Sequence, residues 1–447
     1  MHDIGGGTGT GTEERFEVAG ITRVEGEGSL RLVVRDGLVT EAHLAIFEAP
    51  RYFEKLVVGR TPDEVLDIVA RICGICPIAY QMSAVHAFED LLGVDIDPAV
   101  RALRRLLYCG EWIESHALHV YLLHAPDFLG CANVVELAAR DRASVERGLA
   151  LKRVGNEIVA TLGGRPIHPV SVRVGGFSRV PTRTELEPLR RALDAALLAA
   201  QATVDWVSGF EAPVFEREER FVALHHPDEY PMNHGRITSS DGLDLAPGDW
   251  GAAFAEEQVP WSHALQARMA DRVPYLLGPA ARVTLAGDRL HPAARAALDR
   301  TGLAGSIARN PNWSIAARAV ELVHATAEAI EILDGYTPPE RPAEPWTPRP
   351  GVAAWSTEAP RGLLFHRYEL DERGRVASAA IVPPTSQNQV AIEADLTAFA
   401  PSVLDLPHAD ATHRLEQLIR SYDPCISCAT HFLDLRIEPG ATGEAQP

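Results

Sequence analysis

The chain has 447 residues, 46% hydrophobic and 23% charged, which is the composition of a globular protein with a large core. Its 61 acidic residues outnumber 42 basic ones for a net charge of −19, which argues against a nucleic-acid-binding surface or an anionic membrane as main partner. No apolar run reaches the roughly 18 residues of a membrane span, and six cysteines are too few for a disulfide framework.

Residues 1–15 (MHDIGGGTGTGTEER) read as a disordered tail. Its glycines fit no G-x-G-x-x-G register and follow no strand, so they make no phosphate loop. Met1 to Phe16 shows neither an apolar stretch nor an Arg-Arg pair, so no export signal is expected and the cytoplasm is the default compartment. A β-hairpin is predicted from Leu30–Arg35, an Asp36-Gly37 turn and Leu38–Phe47. Thr61-Pro62-Asp63-Glu64 starts a helix that runs toward Cys73, with an N-cap, a first-turn proline and two acids at the positive end of the dipole. A second helix starts after Pro77 and continues to about Leu92. Apolar residues at three- and four-residue spacing predict long helices at about 97–124, 131–162 and 183–208.

Gly163–Gly176 is an irregular Gly/Pro loop. More helix is expected at about 260–277 and 311–334, then a proline-rich extended connection over 336–350. A second hairpin is predicted from Gly362–Leu370, a Glu372-Arg373-Gly374 turn and Val376–Val382. A last helix at about 408–421 delivers the chain to Asp423-Pro424-Cys425. The expected architecture is mainly α with small β-hairpins: one large helical-bundle domain over 16–431, then an extension over 432–447.

Four cysteines carry the chemistry. Cys73/Cys76 and Cys425/Cys428 are two C-x-x-C pairs, 352 residues apart from first cysteine to first cysteine. One such pair is a redox dithiol, half a metal site, or chance. Two pairs point to a metal. A structural zinc knuckle keeps its second pair roughly 15–20 residues away, and iron–sulfur ligands also cluster more closely in sequence. Thiolate softness selects Zn, Fe, Ni or Cu(I) over Mg or Ca. Arg71 lies two residues before the first pair and favours ionised thiols. Asp423 lies two before the second, and Pro77 and Pro424 stiffen the loops. His431 is a candidate further ligand, although by spacing alone it reads as an ordinary surface histidine. Cys109 and Cys131 read as small buried apolar residues.

Taken together the motifs resemble the large, catalytic subunit of [NiFe]-hydrogenases. They are Arg71-Ile-Cys73-Gly-Ile-Cys76, Asp423-Pro-Cys425-Ile-Ser-Cys428-Ala-Thr-His431, Arg23-Val-Glu25-Gly, Arg51-Tyr-Phe-Glu54, Glu358-Ala-Pro-Arg361-Gly, Pro384-Thr385-Ser-Gln-Asn388 and the Gly163–Gly176 loop. The match spans about residues 16 to 431. It is most similar to the cytoplasmic, bidirectional, NAD(P)-linked group. Three departures separate it from O2-tolerant and periplasmic relatives: Tyr80 where many have histidine, Glu27 where some have histidine, and Ser115 where membrane-associated ones have aspartate.

The resemblance implies nickel held by all four cysteines, with Cys76 and Cys428 also bridging to an iron that carries CO and cyanide. Arg361 and Thr385, the latter beside Pro384, match residues that hydrogen-bond the cyanides. Glu54 and His431 match ligands of Mg²⁺ or Fe²⁺ near the C-terminus. The implied reaction is reversible heterolysis of H2. The metal centre acts as electrophile, a terminal thiolate, Cys425, takes the proton, Glu25 relays it as a buried carboxylate of adjusted pKa, and Arg361 orients the reactants. The implied partners are an iron–sulfur small subunit, diaphorase subunits binding FAD and NAD(P), a maturation endopeptidase that removes Phe432–Pro447, and nickel-insertion proteins. No iron–sulfur cluster, nucleotide site, nucleic-acid contact or direct membrane span is expected in this chain. The competing expectations are a non-catalytic H2 sensor on the same fold and a structural zinc scaffold built on the four cysteines.

Overall fold

The computed structural model describes residues 13–35, 38–49 and 51–430. The chain opens with an antiparallel meander of β1 (Glu13–Val18), β2 (Gly28–Arg35) and β3 (Leu38–Ile46). Strand β1 starts inside the stretch read as a tail, because Glu13 pairs with Arg35. The expected first hairpin is present as β2 and β3, with Leu30 opposite Leu44 and Leu32 opposite Ala42. Those four side chains are buried, as strict alternation requires of a sheet with one covered face. Asp36 and Gly37 lie outside the described residues.

The helices begin with α1 (Phe53–Leu56), α2 (Pro62–Val69) and α3 (Pro77–Leu92). Thr61 caps α2 through a reciprocal capping box with Glu64. The helix ends at Val69 instead of reaching Cys73, which leaves the first cysteine pair on a loop. Next come α4 (Pro98–Ala117), a π-helical turn (Leu118–His124) and α5 (Ala125–Phe128). The single helix expected over 97–124 widens in that turn just ahead of Pro126, which has no N–H for the carbonyl four residues back. The helix expected over 131–162 is two, α6 (Val134–Arg140) and α7 (Arg142–Gly163). Asp141 separates them, its carboxylate accepting from Ser144 N at 3.1 Å as the N-cap of α7. After the short β4 (Val172–Arg173) and β5 (Gly176–Phe177) comes α8 (Arg183–Ser208).

A run of small strands follows: β6 (Val222–His225), β7 (Arg236–Ser239) and β8 (Asp244–Leu245) in one sheet, then β9 (Phe254–Gln258) and β10 (Leu265–Met269) in another. The helix expected at 260–277 is therefore absent. Leu265–Met269 pairs antiparallel with Phe254–Gln258, and Pro260 and Pro274 bracket the segment against helix. Then come α9 (Pro279–Ala286), α10 (Pro292–Thr301), α11 (Ala304–Ile307) and α12 (Ser314–Gly335). The last sheet is β11 (Gly351–Ala359), β12 (Gly362–Leu370) and β13 (Val376–Val382). Its second hairpin is as expected, whereas β11 has no counterpart in the sequence reading. Helices α13 (Pro384–Phe399) and α14 (His408–Ser421) complete the fold.

Helices α4, α7, α8 and α12 pack into the central bundle. The α4–α7 crossing is made close by glycine. A Cβ on Gly155 would stand 2.6 Å from the backbone N of Glu114 and the carbonyl of Gly110. No helix among the described residues is long and apolar enough to cross a membrane.

Replacing Gly155 with valine forces these two backbones apart. Overpacking of this kind costs about 1–3 kcal/mol. A lowered midpoint of denaturant unfolding, with no such loss for a valine at the open position Gly251, is the expected outcome.

Candidate metal centre

The two cysteine pairs meet. One sulfur from each of Cys73, Cys76, Cys425 and Cys428 lies within 4.8 Å of all the others, and all four residues are buried. Across the pairs, Cys73 Sγ is 3.5 Å from Cys425 Sγ and Cys76 Sγ is 3.8 Å from Cys428 Sγ. Cys76 is the N-cap of α3, with Pro77 in the first turn. Thr385 sits in the first turn of α13, and its hydroxyl accepts from Cys425 N at 3.0 Å. Two helix N-termini therefore point positive ends toward the sulfurs. Burial pushes the thiols of Cys425 and Cys428 up, and the neighbouring thiols hydrogen-bond Cys73 and pull it well down. Four ionised sulfurs packed this closely out of water would repel one another strongly. A set of four ionised sulfurs here requires cationic charge among them, as a soft metal provides.

The two ends of the chain are tied at the same place. Glu25 and Cys425 form a parallel β-bridge, with Ile426 N donating to Glu25 O at 2.9 Å. This brings the half-buried Glu25 carboxylate to Cys425 Sγ at 3.1 Å and to Ser427 N at 3.0 Å. Arg23 and Arg420 both bind the buried carboxylate of Asp127, and Arg420 Nε also donates to Thr22 O at 2.8 Å. The N-terminal motif is thereby fixed to α14, the helix that delivers the second pair.

Arg361 occupies the two-residue tip of the β11–β12 hairpin, between paired Ala359 and Gly362. Its Nε donates to Asp423 O at 2.8 Å and Nη2 to Asp423 Oδ1 at 3.1 Å, while Nη1 is buried with no partner. Burial opposes its charge, but Asp423 and the cysteine sulfurs outweigh that and keep it a firm cation. Gly362, at φ 131°, allows the tip to lie against Leu277 and Gly278. Behind it, the fully buried Arg282 donates to Ala359 O at 3.0 Å and Pro360 O at 2.9 Å, and pairs with Glu321 and Glu358. Burial would raise the Glu321 carboxyl, yet Arg282, with His116, holds it at about 2.

Glu54 is set by α1, and its Oε1 accepts from Ile381 N at 2.7 Å. Burial raises it to about 7, and the facing Glu256 stands at about 8. His431 lies outside the described residues. Pro384 is a buried first-turn residue of α13. Arg71 is not brought to the cluster. It is exposed and pairs with Asp67 one turn back at 3.1 Å, so Arg361, and not Arg71, supplies the nearby cation. Tyr80 is fully buried beside the cysteines; burial and their charge keep it protonated.

Besides Arg282, two residues that hold the cysteine loops escaped the sequence reading. Arg51, quoted there only as part of a motif, clamps the two cysteine loops by donating from Nη2 to Ile72 O at 2.6 Å and to Ser427 O, while its backbone N reaches Thr430 O at 2.6 Å. Glu111 accepts from Ile78 N at 2.6 Å and Ala79 N at 3.2 Å, closing the N-terminus of α3 from outside. The only sequence signal for Glu111 is a charge at an apolar helix position.

With this geometry in place, comparison with known proteins is direct. The nickel-dependent hydrogenase family model matches residues 51–150 and 289–431, together more than half of the chain. Sulfhydrogenase 1 subunit alpha of Pyrococcus furiosus is 32% identical over 93% of this chain and 97% of its own length. The NAD-reducing hydrogenase HoxS subunit beta of Cupriavidus necator is 27% identical over 92% and 94%. The crystal structure of an NAD⁺-reducing [NiFe]-hydrogenase in the H2-reduced state superposes with a TM-score of 0.85 at 27% identity, covering 94% of this chain and 99% of that one. The chain belongs to the nickel-dependent hydrogenases. It is a hydrogenase subunit, an oxidoreductase acting on H2, and the buried cysteine cluster fits the metal its family depends on.

Arg51→Met should release the two cysteine loops. A loss of roughly 10–100-fold in metal affinity, read as nickel per chain with unchanged far-UV circular dichroism, is expected. Arg282→Met removes the guanidinium shared by two buried carboxylates and should cost about 3–5 kcal/mol in unfolding free energy. Glu321 adds a pH dependence. Its folded pKa lies below the unfolded one, so its contribution is complete above about 4.5 and is lost as pH falls toward about 2. Glu321→Gln should flatten the acid limb of the stability profile in that window.

Proposed function

We propose that the cysteines hold a nickel–iron centre, Cys73 and Cys425 terminal on nickel and Cys76 and Cys428 bridging to iron, and that this chain catalyses reversible H2 oxidation. The observation that carries the reading is the carboxylate of Glu25 within 3.1 Å of Cys425 Sγ, beside four buried sulfurs. When bound, the centre supplies the electrophile that polarises H2 and accepts its electron pair. Cys425 receives one proton on sulfur. Glu25 takes it through Oε2, and the hydrogen bond from Ser427 N keeps that oxygen aimed at the sulfur. Arg361 keeps positive charge over the site, fixed through Asp423.

Support for CO and cyanide on the iron comes from donors with nothing to bind. Arg361 Nη1 is buried without an acceptor, and Thr385 receives Cys425 N, so its own O–H is left to donate elsewhere. A Mg²⁺ or Fe²⁺ held by Glu54 and His431 would account for a carboxylate buried beside a second one. Electrons leave to an iron–sulfur small subunit and then, through diaphorase subunits with FAD, to NAD(P). The similarity to the NAD⁺-reducing enzymes favours that acceptor. We place the protein in the cytoplasm, with Phe432–Pro447 removed by an endopeptidase after nickel insertion. An intact mass showing all 447 residues in active protein would overturn the removal.

The deciding experiment is nickel and iron content of the complex purified with its partners, together with infrared spectroscopy for metal-bound CO and cyanide. Nickel, iron and those bands are expected; zinc alone without bands overturns the reading in favour of a structural scaffold. In the same preparation Glu25→Gln should lower H2 oxidation by roughly 10²–10⁴-fold with the infrared bands retained, and Glu25→Asp should restore part of the rate. Equal rates for wild type and Glu25→Gln would remove Glu25 from the proton route.

A further inference from the structure

A second cluster of metal-ligating side chains lies on the same helix as the first cysteine pair. His86 projects from α3, His234 from the loop before β7, and Trp355 from β11. The two imidazole rings stand 4.7 Å apart between centroids, inclined at 54°, and the Trp355 ring lies 5.9 and 6.0 Å from them. His86 is 5% exposed. The Nε2 atoms of both histidines are buried and neither has a hydrogen-bond partner. A buried ring nitrogen without a partner is costly, and two of them on neighbouring rings call for a shared occupant.

The neighbouring carboxylate does not satisfy them. Glu89 Oε2 is 3.8 Å from His86 Nδ1, beyond hydrogen-bond range. Both of its oxygens are taken by Arg104 at 2.6 Å, and Oε1 also accepts from Gly175 N at 2.7 Å. Nor does protonation resolve the matter. Burial, the His234 ring, and the nearby Arg104 and Arg101 hold His86 well below its usual range; burial and Arg101 bring His234 to about 4. At neutral pH both rings are uncharged, the form that binds metal. They line an open cavity of about 430 Å³ that the exposed Asp90 and Asp95 also line. The nearby cations are engaged elsewhere, Arg101 by Glu229 at 2.8 Å and Arg104 by Glu89 at 2.6 Å.

We infer that His86 and His234 form a further metal site that takes a borderline divalent cation, Zn²⁺ or Ni²⁺, on their two Nε2 atoms. Imidazole nitrogen suits these ions, and the cavity leaves room for water to complete the coordination sphere. The site draws on none of the cysteines. A cation there ties α3, whose first turn follows Cys76, to the loop before β7, and so stiffens the helix behind the first cysteine pair.

The test uses the purified hydrogenase complex, dialysed against chelator and then equilibrated with ZnCl2. The wild-type complex should take up one equivalent of zinc beyond its starting metal content. His234→Gln, at a half-buried position, should lose that equivalent and keep its H2 oxidation rate; His86→Gln should do the same. Titration with NiCl2 should quench a part of the tryptophan emission that is missing in both His234→Gln and Trp355→Phe. No extra zinc in the wild type, or equal uptake by His234→Gln, overturns the site. Should His86→Gln fail to fold, His234→Gln decides alone.

Discussion

Four sulfurs from opposite ends of the chain share one buried space less than 5 Å across, and most of the structure can be read as what that requires. Ionised sulfur out of water is stable only beside positive charge and donors. The protein supplies Arg361, the N-termini of α3 and α13, and backbone N–H groups on the cysteine loops. It does not supply enough for four thiolates, and the metal makes up the difference. Segments 352 residues apart must also be brought to within a few ångströms. That is done by backbone pairing of Glu25 with Cys425, by Arg51 gripping both loops, and by Asp127 joining Arg23 to Arg420. None of these contacts exists within a single segment, so the site and the closure of the fold are the same event.

Fully buried arginines are the second theme. Arg104, Arg282, Arg318 and Arg420 are each among the largest side chains with almost no exposure. Such groups add little net stability against well-packed apolar ones, but removing either partner leaves a stranded charge. Their value lies in geometry: Arg282 fixes two carbonyls of a hairpin tip, and with them the direction from which Arg361 approaches. A hydrophobic residue would fill the same volume without setting that direction.

The sequence revealed what is local and what is dense in motif. The Thr61 capping box, both hairpins around Asp36-Gly37 and Glu372-Arg373-Gly374, and the long amphipathic helices all rest on short-range rules. Composition was misleading at Leu265–Met269, which takes its strand form from pairing with Phe254–Gln258 and not from its own pattern. The cysteine pairs were legible by spacing, and Glu25 and Arg361 by their motifs. Arg71 shows the limit of proximity in sequence: two residues from Cys73, its side chain turns to Asp67. Arg51, Glu111 and Arg282 act across long separations, where one sequence carries no trace of which backbone groups a side chain will meet.

The pairing of Ile426 with Glu25 has a consequence for synthesis. The ribosome makes the first cysteine pair 352 residues before the second. Until then Cys73 and Cys76 form an open dithiol on a loop, and the N-terminal strand segment around Glu25 lacks its partner. The last contacts to form are also the longest in sequence, so they carry the greatest loop-closure entropy and are the slowest to be found. The cleft therefore stays open to diffusing ions until the segment 423–430 docks, and that segment acts as its latch.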